Sequence, residues 1–232
     1  MIKGFFGVPG CGKSTLLVKY ARKEQKRVLN RYKDIYTINI DIEGCTRITW
    51  DDLANYKLEN CLILWDEATL DADNRKFKDF TDGHRDFFIL HRHVGCDVIW
   101  TTQNYDKVDL KIRDLTQELW YMSKSVVPLF RNFTSAKRIY RCININEHTG
   151  DLTMGYRFCN FLESLFVSNY KLVYRKPLYK FFDSFDELAL SDRPCYPITN
   201  SNKFIESHKF LKRGVSLWYS IILKLKSLLK KC

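Results

Sequence analysis

None of the eight cysteines stands in a Cys-x-x-Cys pair, and no apolar stretch approaches the length that crosses a bilayer. The first absence argues against a structural zinc site and against a disulfide framework. The cysteines at 11, 45, 61, 96, 142, 159, 195 and 232 read instead as small buried hydrophobes of a reducing compartment. The second absence bears on membranes. The longest uncharged run of the C-terminal segment, Gly214 to Leu223, has ten residues, whereas a spanning helix needs about 20. No internal repeat and no low-complexity tract is visible. An apolar strand begins at Ile2, directly after Met1, so no secretory leader is expected. Acidic residues are in the minority, 27 against 38 Lys and Arg, for a net +11. The excess is uneven. From Lys203 onward there are eight basic residues and one acid, Glu206, a net +7. The charge is therefore mainly a property of the C-terminal segment rather than of the fold as a whole. At 232 residues and 45% apolar, the chain can bury one α/β core with a small appendage.

What the chain does have begins at residue 7. Gly7-Val8-Pro9-Gly10-Cys11-Gly12-Lys13-Ser14 fits G-x-x-x-x-G-K-[ST], the phosphate-binding loop, and Thr15 continues it into a helix. The aromatic run Ile2–Phe6 precedes it as a buried strand, and Thr15–Lys23 follows with apolar residues at helical spacing. In that context the glycines let backbone N–H groups curl around phosphate oxygens, and the helix N-terminus adds its positive end. Lys13 is placed for the β- and γ-phosphates of ATP, and Ser14 for Mg²⁺ through its hydroxyl.

Cys61-Leu62-Ile63-Leu64-Trp65 is an apolar run ending in Asp66-Glu67. That pattern suits a central parallel strand carrying a carboxylate to its C-terminal end. Asp66 is expected to bind Mg²⁺ through water, and Glu67 to polarise an attacking water. A nucleotide kinase usually carries an arginine-rich lid, and no such segment is evident. A third strand, Asp97–Thr102, ends at Gln103, which is placed to sense the γ-phosphate or the water. Between these strands, 79–94 has Phe80, His84, Phe87, Phe88 and His91 at helical spacing, with Gly95 as a stop. His91 and His93 at i, i+2 on a helix end point apart and do not suggest a metal pair.

Strands are expected near Ile2–Phe6, Arg27–Leu29, Tyr36–Ile40, Leu62–Trp65, Asp97–Thr102 and Glu118–Ser123. The fold class is a three-layer α/β P-loop NTPase with a mostly parallel sheet, followed by a β-hairpin and an amphipathic C-terminal helix. The hairpin comprises Cys142–Asn146, a turn at 147–150 and Leu152–Phe158. Basic and aromatic residues interleave along 124–157, a pattern that suits single-stranded DNA but fits a solvated hairpin face better, since the sequence does not sort the basic residues cleanly onto one face. The domain limits read 1–190 for the NTPase, 191–203 for a linker, and 204–232 for a basic tail helix. In the tail, Leu217, Trp218, Ile221, Ile222, Leu225, Leu228 and Leu229 share one face. Such a helix suits either a membrane interface, with lysines reaching the headgroups, or packing on protein.

The stretches Gly4 to Thr15, Leu62 to Ala68 and His91 to Leu119 resemble the zonular occludens toxin (Zot-like) family, a branch of the P-loop FtsK–HerA class that includes assembly ATPases of filamentous phages. The spacing H-R-H-x-G-x-D…T-Q over 91–103 is the more specific part. Asp109–Leu115 and Lys180–Phe185 extend the likeness to roughly residues 1–186. The resemblance implies an ATPase that works as a homo-oligomeric ring. It would extrude single-stranded phage DNA through the host inner membrane as coat and assembly proteins are added. Many relatives carry a transmembrane span that this chain replaces with its short tail. A ring motor also needs an arginine reaching a neighbour's γ-phosphate. Arg92 and Arg113 are the candidates, with Arg85 a weaker third; a plain helix-end role for Arg92 is equally open. The alternatives are a soluble DNA-packaging ATPase and a nucleotide-dependent partner-binding protein, including a toxin.

Overall fold

The computed structural model describes residues 1–29, 31–75, 80–125, 130–145, 152–160 and 169–182. The chain divides into two units, Met1–Asp186 and Glu187–Cys232. The linker and tail helix expected from sequence lie outside the described residues.

The first unit is built on one nine-stranded sheet. In chain order it runs β1 (Ile2–Phe6), α1 (Lys13–Gln25), β2 (Asp34–Ile38), β3 (Thr46–Arg47), α2 (Asp52–Asn55), β4 (Cys61–Trp65), α3 (Asp82–Leu90), β5 (Asp97–Thr102), α4 (Leu110–Leu115), β6 (Glu118–Lys124), β7 (Phe133–Ile145), β8 (Leu152–Phe158) and β9 (Tyr170–Tyr174). The spatial order is β3-β2-β4-β5-β1-β6-β7-β8, with β9 also pairing β7. Strands β1 to β6 are parallel to one another, β7 pairs antiparallel with β6, and β8 and β9 pair antiparallel with β7. A P-loop NTPase fold with a mostly parallel sheet is what the apolar runs called for.

The two faces follow from alternation. All five residues of β4 are buried. Ile63 and Trp65 face the layer of α2, α3 and α4 with Trp100, Phe88 and Ile112. Leu62 and Leu64 face α1 with Phe5, Leu17 and Val18. Burial on both faces is why the strand reads as an unbroken apolar run. Helix α3 starts at a capping box in which Thr81 and His84 satisfy each other's backbone groups. His84 also stacks 4.0 Å from Trp50, and its Nε2 lies 3.1 Å from the Trp50 carbonyl. Burial lowers the pKa of His84 and of His91, which are therefore neutral core side chains. Gly95, at φ +72°, ends the turn after α3 as expected.

Two strand expectations need correction. Arg27–Leu29 is not a strand: Val28 is fully exposed and Leu29 nearly so, because three residues beside a Glu24–Arg27 ion pair offer no face to bury. The strand placed at Tyr36–Ile40 lies two residues earlier. It pairs with β4 from Asp34↔Cys61 to Ile38↔Trp65, and Asn39 at φ +59° then turns the chain out of the sheet. The expected hairpin is present as β7 and β8, in register from Ile139↔Phe158 to Ile145↔Leu152; its turn lies outside the described residues.

Asp97, the acid of the H-R-H-x-G-x-D pattern, is structural. Its carboxylate accepts hydrogen bonds from the Met1 ammonium, Arg31 (3.0 Å) and the Tyr32 hydroxyl (2.6 Å). Burial alone would raise its pKa, but these donors outweigh burial and hold it below the ordinary carboxylate value. Stability from this cluster is therefore complete above the unfolded pKa of 3.8 and is lost as pH falls through the depressed folded pKa. Asp97→Asn is expected to cost about 2 kcal/mol at pH 7. In urea unfolding followed across pH, that deficit should fade below about pH 4.

Candidate functional site: a phosphate loop facing two carboxylates

The parallel register brings three strand ends together. Phe6 pairs with Thr102, and Trp65 with Trp100, so the loop after β1, the Asp66–Glu67 pair after β4 and the Thr101–Gln103 segment share one end of the sheet. This is the crevice in which open α/β sheets bind ligands.

The loop Gly7–Gly12 turns through Gly10 (φ +72°) and Gly12 (φ +96°), and Gly12 caps α1. Lys13 is buried and its Nζ donates to the carbonyls of Gly7 (2.9 Å) and Val8 (3.4 Å), spanning the loop. Pro9 is exposed, while Cys11 points inward and is fully buried, which raises its thiol pKa. Thr15 Oγ1 closes the first turn on the Gly12 carbonyl at 2.7 Å.

The loop is braced by parts of the chain far away in sequence. Thr134 of β7 donates to the Cys11 carbonyl at 2.6 Å. Arg175, directly after β9, donates to the carbonyls of Gly10 (3.2 Å) and Arg131 (2.6 Å). A Cβ on Gly12 would meet Arg175 Cδ at 2.7 Å and Thr134 Oγ1 at 2.8 Å. Gly12→Ala therefore combines backbone strain with overlap, about 2 kcal/mol in all. It is expected to weaken ATP binding by roughly tenfold or more, measured with a fluorescent ATP analogue.

Ser14 Oγ donates to Asp66 Oδ2 at 2.6 Å. Thr101 Oγ1 and the Glu67 N–H (3.1 Å) hold Oδ1. Burial pushes the Asp66 carboxyl above its usual range, against the hydrogen bonds from Ser14 and Thr101 and the charge of Lys13. Glu67 takes the left-handed backbone conformation, φ +44°, unusual for a non-glycine residue. Its Oε1 accepts from Thr69 Oγ1 (2.5 Å), Thr102 Oγ1 (3.0 Å) and the Gln103 N–H (3.2 Å). Among the described residues its Oε2 accepts none. A carboxylate fixed by one oxygen with the other free is suited to taking a proton from water.

The other nominated residues divide. Gln103 lies at this end of the sheet, but its backbone N–H makes the contact with Glu67 and its side chain is exposed. Arg113, on α4, lies against the Tyr105 ring at 5.4 Å and 3.7 Å from Asp106. Arg92 is exposed at the opposite end of the strands, beside Met1, Arg31 and Asp97, so it takes no part in its own chain's site. Arg85 is occupied by Asp82 and Asp86. The sequence reading missed Thr69, Thr101 and Thr102, which hold the carboxylates, and Thr134 and Arg175, which hold the loop. The run Thr101-Thr102 beside Gln103 was the only local signal for any of them.

Three comparisons with known proteins bear on this geometry. The family model described as zonular occludens toxin (Zot) matches residues 18–184. It begins inside α1, so the phosphate loop stands as a separate observation. Among solved structures, the N-terminal domain of zonular occludens toxin from Neisseria meningitidis is similar with a TM-score of 0.52 at 16% identity, covering 78% of this chain and 98% of that one; the likeness is one of fold. Looser likenesses are the genome packaging NTPase B204 from Sulfolobus turreted icosahedral virus 2 in complex with ATP-gammaS (TM-score 0.40, 11% identity, 66% and 95% covered) and the flagellar accessory protein FlaH from Methanocaldococcus jannaschii (TM-score 0.41, 13% identity, 66% and 88% covered). No curated protein matches in sequence.

Proposed function

The chain belongs to the zonular occludens toxin (Zot) family, and from that membership we propose that it is a Mg²⁺-dependent ATPase that drives assembly and extrusion of a filamentous phage. The observation that carries the reading is the meeting of Ser14, Asp66 and Glu67 beside the phosphate loop. Ser14 Oγ and Asp66 Oδ2 are the hard oxygen donors that Mg²⁺ takes, so the residues fit that ion. When bound, Mg²⁺ neutralises charge on the phosphate oxygens. The protein's own part is positioning. The loop N–H groups and Lys13 hold the triphosphate, and the free Oε2 of Glu67 accepts the proton of the attacking water. Gln103 stands at the same crevice as a sensor of the γ-phosphate.

The same reading makes the enzyme a homo-oligomeric ring at the cytoplasmic face of the host inner membrane. There it moves single-stranded DNA outward while coat protein is added. Among the described residues no helix is long and apolar enough to cross a membrane, so the contact with lipid is assigned to the amphipathic segment 204–232. Arg92, exposed and outside its own site, is the better placed arginine for a neighbour's γ-phosphate; Arg113 is engaged by Tyr105 and Asp106.

The test is hydrolysis per protomer across protein concentration, with and without anionic vesicles. A rate that climbs with concentration and falls in Arg92→Ala supports a shared site. A chain lacking 203–232 should lose sedimentation with vesicles. A concentration-independent rate, or a shortened chain that still pellets with vesicles, would overturn the ring or the membrane assignment respectively.

A further inference from the structure

Strands β7, β8 and β9 carry five basic residues (Lys137, Arg138, Arg141, Arg157 and Lys171) and no acid. Among the described residues they also carry four of the exposed rings, Tyr156, Phe158, Tyr170 and Tyr174. Register sorts these residues by face. Lys137 lies opposite Tyr170, and Phe133 opposite Tyr174. Ile139 lies opposite Phe158, and Arg141 opposite Tyr156. Directly paired residues share a face, so all of these point to one side. The alternate residues, Thr134, Ala136 and Val173, are buried on the side of α1. Arg138 and Lys171 belong to that second side: Arg138 approaches Glu118, and Lys171 lies 4.1 Å over Trp120. The interleaving that looked unsorted in sequence is thus separated in the sheet.

On the open face, Tyr156, Phe158, Tyr170 and Tyr174 are 46–52% exposed, and Leu172 is 59% exposed. These are large apolar side chains left in water, whereas every residue of β4 and all but the first of β5 are buried. Lys137 holds its ammonium 5.0 Å over Phe158 and 5.8 Å from Tyr170, and it has no carboxylate partner among the described residues. Arg141 caps the end of α4 through the Asp114 and Arg113 carbonyls, leaving its charge on this face. A row of rings leads onward. Phe158 meets Tyr121 at 6.0 Å, and Tyr121 meets Phe6 at 5.5 Å. Phe6 directly precedes the phosphate loop.

We propose that this face is a stacking platform for single-stranded nucleic acid, with bases on the rings and phosphates at Lys137 and Arg141. Open π-faces select unpaired bases, because a duplex hides them in its own stack. Charge decides against a second copy: a two-fold contact through this face sets one positively charged surface against another. The strands that carry the platform also reach the nucleotide site from elsewhere on their length, since Thr134 on the buried side of β7 and Arg175 after β9 brace the phosphate loop. The inference deepens the reading of an ATPase that moves a single strand, yet its test is independent of ATP turnover.

The test uses the full chain and fluorescence anisotropy with an oligothymidylate of about 20 nucleotides, an oligouridylate of the same length and the matching duplex. Replacing Tyr156 and Tyr170 together by Leu keeps apolar contact and removes stacking; replacing both by Ala removes the rings outright. Each pair should weaken oligothymidylate binding by roughly thirtyfold or more, leave the duplex unaffected and leave ATP binding unchanged. Lys137→Ala should reduce the salt slope by about 0.7. Ultraviolet crosslinks should map to Phe158, Tyr170 or Tyr174. Equal binding of oligouridylate supports a platform that ignores the sugar. Three results would each overturn the proposal: unchanged affinity in both double variants, crosslinks confined to 203–232, or a change of oligomeric state in place of a change of affinity.

Discussion

Glu67→Gln is expected to bind ATP with affinity close to that of the unaltered chain and to hydrolyse it about a thousandfold more slowly. The substitution is nearly isosteric, so the fold at the end of β4 survives it. Oε1 accepts from Thr69, Thr102 and the Gln103 N–H, and a glutamine satisfies these donors with its carbonyl oxygen. Its amide nitrogen is then left where the free oxygen of Glu67 was. An amide there donates to a water and cannot take its proton. Loss of a positioned base lowers rates by roughly 10² to 10⁴, whereas the proposed hold on ATP comes mainly from the loop and Lys13. The check is single-turnover hydrolysis beside equilibrium binding of a fluorescent ATP analogue. Turnover near that of the unaltered chain would remove Glu67 from the chemistry. Joint loss of binding and turnover would instead mark it as a structural residue of the strand end, as its left-handed backbone also allows.

The features that local pattern specifies are legible in the sequence alone. The run Cys61–Trp65 is apolar because both its faces are buried, and that same fact put Asp66 at the end of a central strand. The glycines at 10 and 12 announce positive φ, which both adopt. Gly95 behaves in the same way. What escaped was set by contacts between distant segments. Arg175 holds the Gly10 carbonyl across 165 positions, and nothing near Arg175 in the sequence hints at a loop. The start of β2 was misplaced because its register follows β4 rather than its own apolar residues. Arg27–Leu29 failed because so short a run has no face to bury, and Val28 and Leu29 stay exposed. Arg92 sits in the most specific part of the family pattern, yet that part proves to be an anchor around Asp97 at the far end of the sheet. The faces of β7 and β8 could not be sorted without register, since both faces carry cations.

Lys13→Ala is expected to abolish measurable ATP binding at concentrations that saturate the unaltered chain, a loss of at least about a hundredfold. Lys13 Nζ already bridges the carbonyls of Gly7 and Val8 from a buried position. Its removal strips the Gly7 carbonyl of its donor, leaves the Val8 carbonyl with the Cys11 N–H, and would take the cation from the phosphates. Charge-assisted hydrogen bonds contribute about 1.5–3 kcal/mol each, so loss of two such bonds to a triphosphate would account for the expected effect. Lys13→Arg is not a rescue, because the planar guanidinium is larger than the ammonium and the loop around it is closed by Thr134 and Arg175. The measurement is titration calorimetry with Mg-ATP, run beside thermal unfolding to show that the sheet persists. Retained binding in Lys13→Ala would mean that the loop N–H groups suffice. Restored binding in Lys13→Arg would mean that the brace is looser than its hydrogen bonds imply.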